Sequence, residues 1–381
     1  MIKTTKNGTI IMRVMCAIFF LLFTFLYLFE YQADILAVTQ HVLAHGATHY
    51  NRIVGAVLLT IILWVLQLVI FGLCGLSRRF HALTYLPSLL LLGILTDVTS
   101  HVDQEPYLGN WLWGFPLIMV GYAGVVWVCR QLEPLEQLSG DVGVFSRISW
   151  QNLLVMVVMA LVVCALGNSD RTFHFRMRME ESMVKGNFAE ATKVGVKEAA
   201  TDSSLTMLRV WALSENHMLG DRLFSYPLVG GCDAMLPNGT SVKLMMADER
   251  KLYAHLGVVF MQKMRPRVYL ETLHKVHRAT AAAHDWLLCA YLLDRDLSQF
   301  VRHLAKYYPI NEQLPKHYKE ALIIYNHTTS HPLISYHNNV KEADYDDFQD
   351  LGDKYGNKRE RYTALRDKYG DTYWFYYHYK R

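Results

Sequence analysis

The sequence predicts an all-α protein in two parts, about five transmembrane helices followed by an extracytoplasmic domain of paired, repeat-like helices. Three observations carry that expectation. Of 381 residues 52% are hydrophobic and only 19% charged, where soluble domains carry about a quarter charged. The apolar excess is concentrated in residues 1–167, in runs long enough to cross a bilayer. Beyond them apolar residues recur every three or four positions, the period of one helix face.

The membrane part comes first, over residues 1–167, with spans expected at 10–29, 53–76, 82–98, 111–129 and 148–166. A spanning helix needs about 17–25 mostly apolar residues. The second and fourth runs meet this alone. The first must tolerate Arg13, whose long side chain reaches the headgroups. The third is short and carries Pro87, which neighbouring helices must accommodate. The fifth is polar at its start, at Ser149, Gln151 and Asn152. Gln67, inside the second span, is expected to hydrogen-bond between helices rather than to bind a substrate.

Lys and Arg set the orientation. With five spans, Lys3, Lys6, Arg13, Arg78, Arg79, Arg130 and Arg147 fall on one side. The other side's short loops hold only Arg52, beside Glu30, Asp34, Asp103 and Glu105. The expectation is a cytoplasmic N-terminus and an extracytoplasmic C-terminal half. No small-residue cleavage site follows the first run, so it reads as an uncleaved anchor. The first 166 residues are charge-balanced, so the net charge of +4 lies in the second part. That surplus is too mild to point to nucleic acid.

Residues 168–381 read as the helical domain, with a turn-rich loop at 226–240 and an aromatic tail. Phe175, Met179 and Met183 stripe one helix. Phe188, Ala191, Val194 and Ala199 form the next series, and Asp202 caps a third that Leu205, Leu208, Ala212 and Leu213 stripe. Gly186 and Gly220 stand 34 residues apart, the period of a tetratricopeptide repeat. The stretch from Lys185 to Ala191, followed by Lys197-Glu198-Ala199, resembles the turn and second helix of such a repeat, although the repeat proline is absent. Later pairs are expected at 249–262 with 266–280, 282–293 with 297–308, and then 313–326. Stacked pairs bury a continuous core that one pair alone does not. The loop at 226–240 reads first as a connection. The tail from Tyr373 to Tyr379, almost wholly aromatic, is expected to cap the open end of the stack. Cys232 and Cys289 stand in the expected oxidising half, where pairing and two free thiols both remain open.

This order, a polytopic N-terminal half and then a degenerate tetratricopeptide-like half, resembles an uncharacterised family of bacterial inner-membrane proteins. The resemblance rests on Tyr31-Gln32-Ala33-Asp34, on the stretch from Leu219 to Pro227, and on Tyr373-Trp374-Phe375-Tyr376-Tyr377. It implies location and architecture and carries no activity or catalytic residue.

Chemistry is sparsely marked. Glu30, Asp34, Asp97 and Asp103 gather at the outer ends of the spans, where a transferase acting on a lipid-linked substrate would place acids, and where solvated loop acids also fall. Asp97 stands nearest the hydrocarbon, where an ionisable group is expensive. His41, His45 and His49 recur every four residues, a spacing that suits a metal on a helix, but Gly46 interrupts that helix. His274, His277 and His284 make a weaker version. There is no phosphate loop, zinc-protease or nucleophile-elbow motif, and no cofactor is expected. The spans also lack the deep charges that ion-coupled transport uses. The leading expectation is therefore a non-enzymatic protein bound to the lipid bilayer, whose helical half engages an envelope protein or peptide through a surface near Arg209, Trp211 and Arg222. The transferase is the alternative.

Overall fold

A computed structural model describes residues 2–76, 78–102, 109–132, 146–196, 198–258 and 264–379. Every regular element among them is helical. The chain divides into two compact units, Met1–Asp170 and Arg171–Arg381.

Five segments of the first unit are long and apolar enough to cross a membrane: Thr9–Tyr31, Arg52–Cys74, Arg78–Thr96, Trp111–Leu132 and Arg147–Leu166. The first is α1 (Ile2–Leu26) continued by a π-helical turn, Tyr27–Tyr31. A short helix, α2 (Ala33–Leu43), leads to α3 (Arg52–Cys74), which Asn51 caps by accepting from the backbone N–H groups of Ile53 and Val54. The third span solves its proline problem by dividing. Arg78–Tyr85 winds as 3-10 turns, and α4 (Leu86–Thr96) then restarts with Pro87 in its first turn, where no intrahelical N–H is missed. Next come α5 (Trp111–Leu132) and α6 (Arg147–Leu166). The third span is the interior one, packed by α1, α3 and α6.

Buried polar groups in this unit repair the interruptions in the third span. Asn152 on α6 accepts from the Ala82 backbone N–H at 2.7 Å and donates to the Arg78 carbonyl at 2.9 Å. The polar start of the fifth span thus feeds the 3-10 turns, since an unmet backbone group in hydrocarbon costs several kcal/mol. Gln67 donates to Thr84 Oγ1 at 3.1 Å, the expected interhelical bond. Arg130 on α5 donates to the carbonyls of Leu73 and Cys74, closing the C-terminus of α3 with a cation.

The second unit begins with α7 (Arg171–Val184), α8 (Phe188–Ala191) and α9 (Ser203–Glu215). Here the length of one expected helix is corrected. The helix expected through residue 199 is one turn long, because Val194-Gly195-Val196 leaves the helix with Gly195 at φ 63°. Then follow α10 (Leu219–Arg222), α11 (Glu249–Leu256), α12 (Pro266–Lys275), α13 (Ala281–Leu293), α14 (Leu297–Tyr307) and α15 (Lys316–Thr328), and finally α16 (Asn339–Asp353), α17 (Lys358–Tyr369) and α18 (Tyr373–Tyr379). Helix α13 is apolar almost all round, and every residue from Trp286 to Leu293 is buried. It is the axis of the unit, with α9, α10, α11, α12 and α14 packed on it. Thirteen residues are too few to span a bilayer.

Residues 226–240 are a packed connection. Tyr226, Leu228, Cys232, Met235 and Leu236 all enter the core. Cys232 and Cys289 are both free and buried. The aromatic tail closes one end of α13. Tyr373 Oη donates to the Leu292 carbonyl at 3.1 Å and Tyr376 Oη to the Leu293 carbonyl at 3.0 Å, filling carbonyls that a helix end leaves open. Trp374 is buried and donates to the Glu320 carbonyl.

Candidate functional site

Two of the residues expected to form a partner surface are structural. Arg209 is 1% exposed. Its guanidinium donates to the Pro227 carbonyl at 2.6 Å, to Thr201 Oγ1 at 2.9 Å and to the Gly195 carbonyl at 3.2 Å. It joins the end of the α8 region to the 226–240 connection, which is why an Arg stands in a core. Burial pulls its pKa down to about 10. Trp211 is buried and donates to Glu215. Arg222 is half-exposed. These three positions therefore form no shared exposed face.

The outer-end acids are similarly committed. Asp34 is fully buried and pairs with Arg52 at 3.0 Å. Asp97 accepts from the Trp111 indole N–H at 2.7 Å, and Glu30 is exposed. Asp103 and Glu105 lie outside the described residues. The histidine series also breaks: α2 ends at Leu43, and His45 and Gly46 take positive φ, so His41, His45 and His49 share no helical face. Among the described residues no three His, Cys, Asp or Glu side chains are grouped to hold a metal ion.

A different place in the second unit gathers polar groups. A cavity of about 850 Å³ opens between α12 and α14, with α13 contributing His284, Leu287 and Tyr291 to its lining. That is within the range of ligand pockets. Its elements are built firmly. Arg267 at the start of α12 pairs with Asp296 at 2.9 Å and Glu271 at 3.1 Å. Thr280 caps α13 and Asp296 caps α14.

The cavity has two chemically distinct ends. At one, charge is neutralised. Burial opposes the Arg267 cation, but Asp296 and Glu271 outweigh it and hold the guanidinium above its ordinary pKa. Tyr291 donates to Glu271, and its ring lies under Arg267. At the other end are His274, His284, Tyr307, Lys275 and Lys306. The His284 ring stacks on Tyr307 with centroids 4.1 Å apart, and His274 lies 5.2 Å from His284. His274 donates its Nδ1–H to the Leu270 carbonyl at 2.7 Å, a geometry that requires the proton on Nδ1. Its Nε2 is buried without a hydrogen-bond partner. His303 likewise donates Nδ1–H to the Gln299 carbonyl, which leaves its Nε2 for another group. Burial lowers the pKa of His274, and His284, His303 and Lys306 add to this against the Leu270 carbonyl. Burial also lowers that of His284, with Asp285 opposing.

The sequence marks His274, His277 and His284 only weakly. His303 and Lys306 are absent from that reading, because they join the cluster through the fold of α14 and not through spacing. The membrane unit has an opening of its own between α2 and α3, about 620 Å³, lined chiefly by apolar side chains such as Leu36, Leu43, Val54 and Leu58.

The spans and the cavity define a class, a polytopic membrane protein that carries an all-helical unit with a polar-lined cavity. Within it, residues 248–380 match the model of a family of unknown function (DUF6057). The match runs from α11 to α18 and takes in every residue that lines the cavity between α12 and α14. No curated protein and no solved structure matches the chain.

Proposed function

We propose that this chain is a membrane-anchored binding protein of the bacterial cell envelope. Its five spans sit in the inner membrane with the N-terminus cytoplasmic, and the C-terminal unit works on the periplasmic side. There the α12–α14 cavity engages part of an envelope protein or peptide. The observation that carries this reading is the cavity, an opening with polar walls in a unit whose core is otherwise filled by large side chains. The distribution of Lys and Arg supports the orientation. The paired helices support a protein-interaction role, because stacked helix pairs present concave surfaces.

The alternative, a transferase acting on a lipid-linked substrate, draws on the outer-end acids. It stands second because Asp34 and Asp97 already hold partners, in Arg52 and the Trp111 indole. Affinity purification from native membranes in mild detergent separates the two readings. The binding reading expects a partner that co-purifies with the native chain and is lost from Ala279→Trp, which fills the cavity, while circular dichroism stays native. A lipid-linked carrier retained equally by both chains, with no protein partner, would overturn it in favour of the transferase.

A further inference from the structure

The binding reading leaves the ligand's chemistry open, and the zoning of the cavity narrows it. At the Arg267 end each charge has an opposite neighbour. At the other end the cations are in excess. Lys275 and Lys306 are exposed at the cavity rim, and no ion pair of theirs occurs among the described residues. Glu271, the acid on the wall, is occupied by Arg267 and by the Tyr291 hydroxyl. Asp285, next to His284 in sequence, accepts from the hydroxyls of Tyr308 and Tyr318 and also acts on the His284 imidazole. Imidazoles complete the end: His284 from α13, His303 from α14, His274 from α12, and His277 from the turn between α12 and α13.

We infer that the Lys275–Lys306 end of the α12–α14 cavity is an oxyanion site, which takes a carboxylate or phosphate of the ligand on the two ammonium groups and on the imidazoles of His284 and His303. This rests on the binding reading and supplies its specificity. Charge-assisted hydrogen bonds to an oxyanion are roughly twice as strong as neutral ones. The cavity also holds the means to increase its charge. Lys306 from α14 acts on His274 and Asp285 from α13 on His284, while Lys275 and Glu271 from α12, Tyr291 from α13 and Tyr307 from α14 line the same walls. Burial lowers the pKa of His274, with His284, His303 and Lys306 adding to it, and burial lowers that of His284 against Asp285, so both imidazoles are biased toward the neutral form. An anion beside an imidazole favours the charged form. Binding therefore draws a proton into the coupled cluster, and affinity rises as pH falls.

The test is calorimetric titration of the full chain in mild detergent with two probes, inorganic phosphate and glutarate, at about pH 6 and about pH 8, the range in which imidazoles titrate. The expected result is saturable binding of at least one probe, tighter at the lower pH, with proton uptake seen as a dependence of the heat on buffer ionisation. Phosphate alone or glutarate alone identifies which oxyanion the site prefers. Lys275→Met with Lys306→Met should weaken binding by about tenfold or more, since both ammonium donors to the oxyanion are removed. Lys354→Met, an exposed change just past the end of α16, should leave it unaltered. His284→Gln should reduce the proton uptake while the protein still melts as the native chain does.

Absence of saturable binding at the lower pH overturns the inference, and so does binding that the double lysine variant leaves intact. The binding reading is scored separately. A partner that Ala279→Trp loses, but that the double lysine variant and competing phosphate do not displace, leaves the binding reading standing and sinks the oxyanion site.

Discussion

Arg209 shows how one residue type misleads a sequence reading. Arg and Trp are favoured at binding hot spots, and nothing in the local sequence separates that use from a core role. The fold decides it, because the backbone leaves the helix at Gly195 and returns past Pro227, so that carbonyls from both places reach one guanidinium. Arg209→Met is expected to strand those carbonyls and to cost about 2–4 kcal/mol, within the range for breaking a buried polar network. Thermal melts of the detergent-solubilised chain measure it. Arg209→Lys should recover little, since an ammonium lacks the fork that reaches three acceptors.

Glu180 is a second buried charge with a backbone task. One carboxylate oxygen accepts from the N–H groups of Met245, Met246 and Ala247, at 2.8, 2.7 and 3.2 Å. Burial still outweighs these bonds and raises its pKa above the ordinary carboxylate value. The native chain therefore holds this proton to a higher pH than the unfolded chain does. The proton-linked part of its contribution is fullest below the ordinary carboxylate range and is lost as pH rises through the raised value. Denaturant midpoints taken across that window should fall with rising pH in the native chain and fall less in Glu180→Gln. Glu180→Ala should lose about 3 kcal/mol or more at neutral pH, because three donors lose their acceptor.

Among the elements, long and strongly periodic segments were legible in the sequence and interrupted ones were not. The five spans were readable because an apolar run about 20 residues long has few other uses. The division of the third span was not, since it depends on Asn152, some 70 residues further along, feeding the turns at Ala82. The repeat-like second helix failed at Gly195, a local stop that a global period overlooks. Gly220, read as one end of a repeat period, stands inside α10 for another reason. Its place is a close approach, where an added Cβ would meet Pro315 Cβ at 2.8 Å and the Tyr318 ring at 2.9 Å. Both neighbours are stiff, so Gly220→Ala should push α10 from α15 and cost about 1–3 kcal/mol, read as a lower melting temperature. The tail was readable by density of aromatics alone, but its register on Leu292 and Leu293 came only with the fold.

At the scale of the whole molecule the two units follow different rules for polar groups. In the membrane unit Gln67, Asn152 and Arg130 each close a backbone or side-chain need left by an interrupted helix, and the cost of leaving it open in hydrocarbon explains why such residues sit in apolar runs. In the C-terminal unit buried charge ties connections to helices, and the cavity gathers groups from α12, α13 and α14, which is why its full membership was hidden until the chain was folded. The proposed topology makes a direct prediction for the intact molecule. The chain's cysteines are all buried or half-buried, so a cysteine introduced at an exposed position is the most reactive thiol. Lys358→Cys, at the start of α17, should react with a membrane-impermeant maleimide in intact spheroplasts. Lys3→Cys should react only after the membrane is opened. Labelling of Lys3→Cys in intact spheroplasts, with Lys358→Cys protected, would invert the orientation and move the α12–α14 cavity to the cytoplasmic side.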